Sequence, residues 1–159
     1  MKETRNLIVK NIFSALAVAV FGFILLNIAF LFDALYQGIV RAFIGLFVSF
    51  GLNMDLYWFP PLMHISFVVI IGLISWFIFK SKLKLIYKAI FMTVPLAVVF
   101  ATIGMFLYKW IWAVYLLGIL FGAGVLYYLY RTKQPWIYYY TLILISLLMF
   151  LVILFGVEI

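Results

Sequence analysis

Cysteine is absent from this 159-residue chain, histidine occurs once, and only four residues are acidic. Without cysteine there is no disulfide framework, no thiol nucleophile and no thiolate metal site. A lone His64 excludes a histidine-rich metal centre and bis-histidine haem ligation within one chain. No metal or other cofactor is therefore expected. Charge is scarce as well: 9% of residues are charged, against about 25% in an ordinary soluble domain. Hydrophobic residues make up 70% of the chain and the mean hydropathy is +1.34. Too little polar surface remains to cover a globule in water, which also argues against disorder and low-complexity linkers. The composition reads as an all-α integral membrane protein.

A helix needs about 20 apolar residues to cross a bilayer's hydrocarbon core. Five runs are read as spans, at about 11–32, 61–79, 86–108, 110–130 and 136–157, all in one transmembrane domain covering 1–159. Strands with open edges leave polar backbone unsatisfied in lipid, so helices are expected. Pro60-Pro61 can open the second span but not continue it, because each ring removes an amide donor. The first span follows a basic start, and with no small-residue cleavage site behind it an uncleaved anchor is expected rather than a signal peptide.

The stretch 34–50 is apolar enough to cross but carries Arg41, at a cost of about 2.5–3.5 kcal/mol in mid-membrane. Basic residues collect in cytoplasmic loops. With 34–50 kept at the outer surface as an amphipathic or re-entrant helix, nine of the eleven cations face the cytoplasm and only Arg41 and Lys109 lie outside. A six-span arrangement lowers the split to six against four and strands Arg41. The expected topology has five spans and one extracytoplasmic helix, with the N-terminus in the cytoplasm and the C-terminus outside, in the plasma membrane. Trp and Tyr gather at headgroup depth, and Tyr57-Trp58-Phe59, Tyr108-Lys109-Trp110 and Tyr138-Tyr139-Tyr140 fall at the expected borders.

Asp33, Gln37, Arg41, Gly45 and Ser49 recur every fourth residue, which puts a narrow polar stripe on one side of a helix. This topology brings Asp33, Arg41, Asp55 and His64 to the outer side, where they form the candidate ligand site for a headgroup, ion or small solute, with Arg41 binding an anion. Asn27, inside the first span, is the other candidate, for reading a ligand or bonding a neighbouring helix. The bland alternative pairs Arg41 with Asp33 or Asp55 and leaves His64 capping a helix. Pro95 is expected to kink the third span, with Thr93 satisfying the freed carbonyl. Two small-residue faces, Ala15 with Ala19 and Gly22, and Gly118 with Gly122 and Gly124, suit close helix packing. Their partners are other spans, other subunits or a second copy.

No carboxylate relay, catalytic triad, P-loop or dinucleotide fingerprint is present, so no catalytic residue is assigned. The lysines from Lys80 to Lys88, next to a span, suit anionic lipid rather than nucleic acid. Trp58-Phe59-Pro60-Pro61 resembles the W-x-P-P element of the tryptophan-rich sensory protein family. The likeness is confined to those four residues, since 89–108 lacks that family's Gln/Asn/Trp pattern. The order of elements, with Gly51-Leu52-Asn53-Met54-Asp55-Leu56 after the first span, is similar to the membrane half of lipoteichoic-acid-synthase-like and phosphoethanolamine-transferase-like proteins. That resemblance implies a lipid-headgroup transferase system, whose catalytic domain the 159 residues do not include. The expected function is a small, non-catalytic, transporter-like or accessory membrane protein binding a lipid or amphiphile, or supporting a larger complex. The alternative is a membrane enzyme with an outward polar site.

Overall fold

The computed structural model describes residues 2–49 and 59–154, and among them every regular element is an α-helix. In chain order these are α1 (Lys2–Ser49), α2 (Phe59–Lys80), α3 (Leu85–Leu107), α4 (Ile111–Arg131) and α5 (Trp136–Leu154). The first four are long and apolar enough to cross a membrane; α5 is equally apolar but its described run is shorter. The borders of α2 to α5 fall within two residues of the expected spans wherever the chain is described. The expected Asp55 site and the 51–58 segment lie outside the described residues.

The largest departure is α1. The first span and the outer helix were expected as two elements, yet one helix of 48 residues runs through both. At about 1.5 Å per residue it is roughly 72 Å long, more than twice the ~30 Å of a bilayer's hydrocarbon core. Nothing in the sequence stops it: no proline occurs between residues 2 and 49. Asp33, Gln37 and Arg41 reinforce the run, since the Gln37 amide donates to Asp33 Oδ2 at 3.0 Å and Arg41 donates to Gln37 Oε1 at 3.4 Å. Charge at Asp33 marks where an apolar stretch ends, and a helix is free to continue past that point.

The third helix is the hub and touches all four others. Its buried residues, from Ala89 through Met92, Val94, Leu96 and Ala97 to Ala101, leave little of its middle facing outward. Buried hydroxyls join it to two neighbours. Thr93, fully buried, shares its one hydroxyl hydrogen between Ile90 O at 2.7 Å and Gly22 O of α1 at 3.3 Å. Thr141 of α5 likewise shares its hydrogen between Ile137 O at 2.9 Å and Ala89 O of α3 at 3.4 Å. Thr93 thus serves Ile90 and α1 rather than Phe91 O, the carbonyl that Pro95 deprives of its donor, and α3 runs unbroken across the proline. Large side chains such as Phe13, Ile39, Leu62 and Ile119 face outward on the outer helices.

Gly22 belongs to this architecture: a Cβ there would lie 2.6 Å from Thr93 Cγ2. Ala15 and Ala19 are half-buried on the same helix. Gly118 and Gly122 border an open apolar groove of about 550 Å³ between α4 and α5, and a Cβ on Gly122 would come no nearer than 4.0 Å to Ser146 Oγ. Gly124 faces open space.

Candidate functional site

Of the residues expected to form an outer site, Asn27, Asp33, Arg41 and His64 lie among the described residues. Asn27 is exposed, and its amide donates to Phe23 O of its own helix at 2.7 Å rather than crossing to a neighbour. Arg41 is exposed and reaches Asp33 only through the Gln37 amide. Asp33 is half-buried, with Oδ1 fully shielded and without a partner. His64 does not cap a helix: it is buried in the second turn of α2 and its Nε2 lies 3.0 Å from Thr102 Oγ1 of α3.

The hydroxyl of Thr102 donates to Val98 O at 2.6 Å, so its single hydrogen is already committed. His64 Nε2 must then carry the proton and donate. The same reasoning applies on the other side of α2, where Ser66 donates to Met63 O at 2.7 Å. Tyr36 of α1 therefore donates to Ser66, across 2.6 Å. Two directed bonds hold the start of α2, one to α3 and one to α1. Replacing His64 with leucine removes one such bond: Thr102 Oγ1 loses its donor but keeps the bond it donates to Val98 O. The expected loss is about 1 kcal/mol, read as a small fall in melting temperature in detergent.

A better-formed site lies at the opposite end. A half-open cavity of about 570 Å³ is bordered by the end of α2, by α3 and α4, and by the start of α5. Met92, Pro95, Leu96 and Val99 of α3 and Phe121 and Val125 of α4 form its apolar depth. These positions follow helical spacing, three or four residues apart, so each helix contributes one stripe. The polar groups gather at one end: Lys88, Gln134 and the phenols of Tyr128 and Tyr138, with Trp76 and Phe79 beside them.

Local structure sets this mouth. Lys88 Nζ donates to Phe79 O at 2.7 Å, close to the C-terminus of α2, where carbonyls lack intrahelical partners and a cation is favoured. An ammonium has three hydrogens, so two remain for another acceptor. Gln134 is placed by the end of α4. Its amide N bonds Leu129 O at 3.0 Å while Lys133 N bonds Tyr130 O at 3.1 Å, the paired bonds of a Schellman turn. Lys133 holds the left-handed position of that turn at φ 50°, where glycine is usual. Lys133→Gly is expected to raise stability by about 0.5–1 kcal/mol, measured by thermal unfolding in detergent.

The surroundings are one-signed. Lys80, Lys82, Lys84, Arg131 and Lys133 are exposed around the same end, and the sequence has no acidic residue between Asp55 and Glu158. Lys80 sits over the Trp76 ring at 4.0 Å. Sequence reasoning assigned the lysines from Lys80 to Lys88 to anionic lipid but missed the cavity behind them. Its walls come from four helices, and a stripe such as 88, 92, 95, 96 and 99 is also what plain packing looks like. Among the described residues no group of His, Cys, Asp and Glu is placed to hold a metal ion. Comparison of the chain with protein-family models, curated proteins and solved structures gives no match.

Proposed function

We propose that this chain is a multi-pass membrane protein without catalytic activity that holds an amphiphilic molecule, as a transporter-like or accessory component. One observation carries the reading: a cavity of about 570 Å³ whose polar groups all lie at one end and whose depth is apolar. A molecule with a polar head and an apolar tail matches that polarity; a sugar or an ion would leave the depth unfilled. The outward aliphatic and aromatic side chains on the outer helices agree with a lipid surround. In this reading the lysine-rich end faces the cytoplasm, Lys109 anchors the outer border, and α1 crosses with residues 11–32 and extends as a helix on the outer side.

The test is retention. The purified chain in dodecyl maltoside is expected to carry a bound amphiphile near one per protein, seen as a mass adduct by native mass spectrometry. A preparation free of such adducts, even after reconstitution and re-extraction, would remove the proposal. Orientation can be read separately, because a chain without cysteine gives no labelling background. A cysteine at Lys109 is expected to react with an impermeant maleimide on intact cells, and one at Lys82 only after permeabilisation.

The shielded, unpartnered Asp33 Oδ1 favours a second reading, an outward polar site of the lipid-headgroup enzyme kind. The amphiphile-holding reading expects Asp33→Asn to leave retention unchanged. Loss of the adduct in that variant would instead place the ligand at the α1 stripe.

A further inference from the structure

We propose that the cavity at the lysine-rich end is a site for a single anionic glycerophospholipid, with its phosphate at Lys88 and Gln134 and one acyl chain along α3 and α4. The proposal rests on the amphiphile-holding reading and adds the ligand class and its orientation.

Among the described residues, Lys88 is the only charged one lining the cavity. It is half-buried, unlike the exposed lysines around it, and it is held by Phe79 O at 2.7 Å. An ammonium held in place with free hydrogens recognises an anionic oxygen better than a mobile surface lysine does. Gln134 offers an amide donor beside it, and the Tyr128 and Tyr138 phenols suit the glycerol and ester oxygens. No carboxylate competes for the cation, because none occurs in the sequence between Asp55 and Glu158. Lys80, Lys82, Lys84, Arg131 and Lys133 attract anionic headgroups to the membrane surface around the mouth without touching the bound one. Below the mouth, Lys88 to Val99 spans roughly 16 Å along α3 at ~1.5 Å per residue, lined by Met92, Leu96 and Val99 on one side and Phe121 and Val125 on the other. A free phosphate would use the mouth and leave this depth empty. A zwitterionic lipid would bring its own cation to an end that already has six.

The experiment uses the full chain in nanodiscs made from equal parts phosphatidylglycerol and phosphatidylcholine with the same acyl chains. After transfer to dodecyl maltoside, the retained lipid is counted by native mass spectrometry. Phosphatidylglycerol is expected to be retained at one per chain with at least tenfold preference over phosphatidylcholine, and 10 mM inorganic phosphate is expected not to displace it. Lys88→Gln should cut its retention about tenfold without changing that of phosphatidylcholine. Lys82→Gln, which removes an exposed cation from the same end, should change it less than twofold. Val99→Trp, which fills the depth and leaves every charge in place, should lower retention of both lipids. Equal retention of the two lipids by the unaltered chain would overturn the proposal, while a bound amphiphile would still stand. Equal losses from Lys82→Gln and Lys88→Gln would also overturn it, since diffuse surface attraction then explains the preference. Displacement by inorganic phosphate would reassign the mouth to a free anion. If Lys88→Gln does not fold, the lipid preference of the unaltered chain and the Val99→Trp result decide.

Discussion

Replacing Gly22 with alanine should destabilise the bundle by about 2 kcal/mol, although alanine is the better helix former by about 1 kcal/mol. The added Cβ would stand 2.6 Å from Thr93 Cγ2, well inside contact distance. Thr93 has nowhere to go. Its side chain is fully buried, and its hydroxyl is bound both to Ile90 O and to Gly22 O across the seam. Relief therefore requires either breaking those bonds or moving α1 away from α3. Moving α1 loosens Val18 and Leu26 from Ala89, Ala97 and their neighbours in the same cluster. Denaturation of the variant by rising sodium dodecyl sulfate should reveal the loss directly. Two companions make the reading specific. Thr93→Ser deletes the offending methyl and keeps the hydroxyl, so the double variant should recover most of what Gly22→Ala loses, a coupling measurable by a double-mutant cycle. Gly122→Ala meets nothing closer than 4.0 Å and should be neutral or stabilising by up to about 1 kcal/mol. Equal gains at the two glycines would mean that helix propensity, not the α1–α3 seam, sets the outcome.

This seam also illustrates which features the sequence made legible. The spacing of Ala15, Ala19 and Gly22 gave a small-residue face, but nothing in it named Thr93, 71 positions away, as the side chain that needs the space. The borders of α2 to α5 were readable because local chemistry marks them: Pro60-Pro61 at the start of α2, lysines between α2 and α3, Tyr108-Lys109-Trp110 between α3 and α4, and Pro135 before α5. Only α1 was misdivided, because a charge ends a span for reasons of solvation while a helix ends for reasons of backbone geometry, and Asp33 meets the first condition alone. Polar residues inside the spans were readable as needing partners but not as to which. Asn27 turned to its own helix, whereas His64 and Ser66, two residues apart, turned to different neighbours. The lysine-rich end was legible as an anion-attracting surface from composition. Its cavity was not, since Lys88 and Gln134 become neighbours only when α3, α4 and α5 are assembled.

Phe67→Ala should produce the largest loss of any single truncation in the bundle, on the order of 3 kcal/mol, the lower end of what such changes cost in soluble cores. The lower end is expected because a chain unfolded within lipid or detergent keeps its apolar side chains out of water, leaving packing rather than transfer as the main term. Phe67 is 1% exposed and forms the centre of the second core cluster with Ile71, Val94 and Val98. Phe32 and Tyr36 of α1 approach its ring with centroids at 6.2 Å and 6.4 Å. It thus engages α1 and α3 together. Removing it leaves α2 with three directed bonds, His64 to Thr102, Tyr36 to Ser66 and Lys88 to Phe79 O, each worth about 1 kcal/mol. Phe77→Ala, on the same helix but 65% exposed, should cost less than about 0.5 kcal/mol. Tyr36→Phe combined with Phe67→Ala should lose less than the sum of the two, because Tyr36 meets both Ser66 and the Phe67 ring and its bond weakens once that ring is gone. An additive pair would separate the hydroxyl bond from the ring packing, and α2 would then be held by independent contacts rather than by one seat built around Phe67.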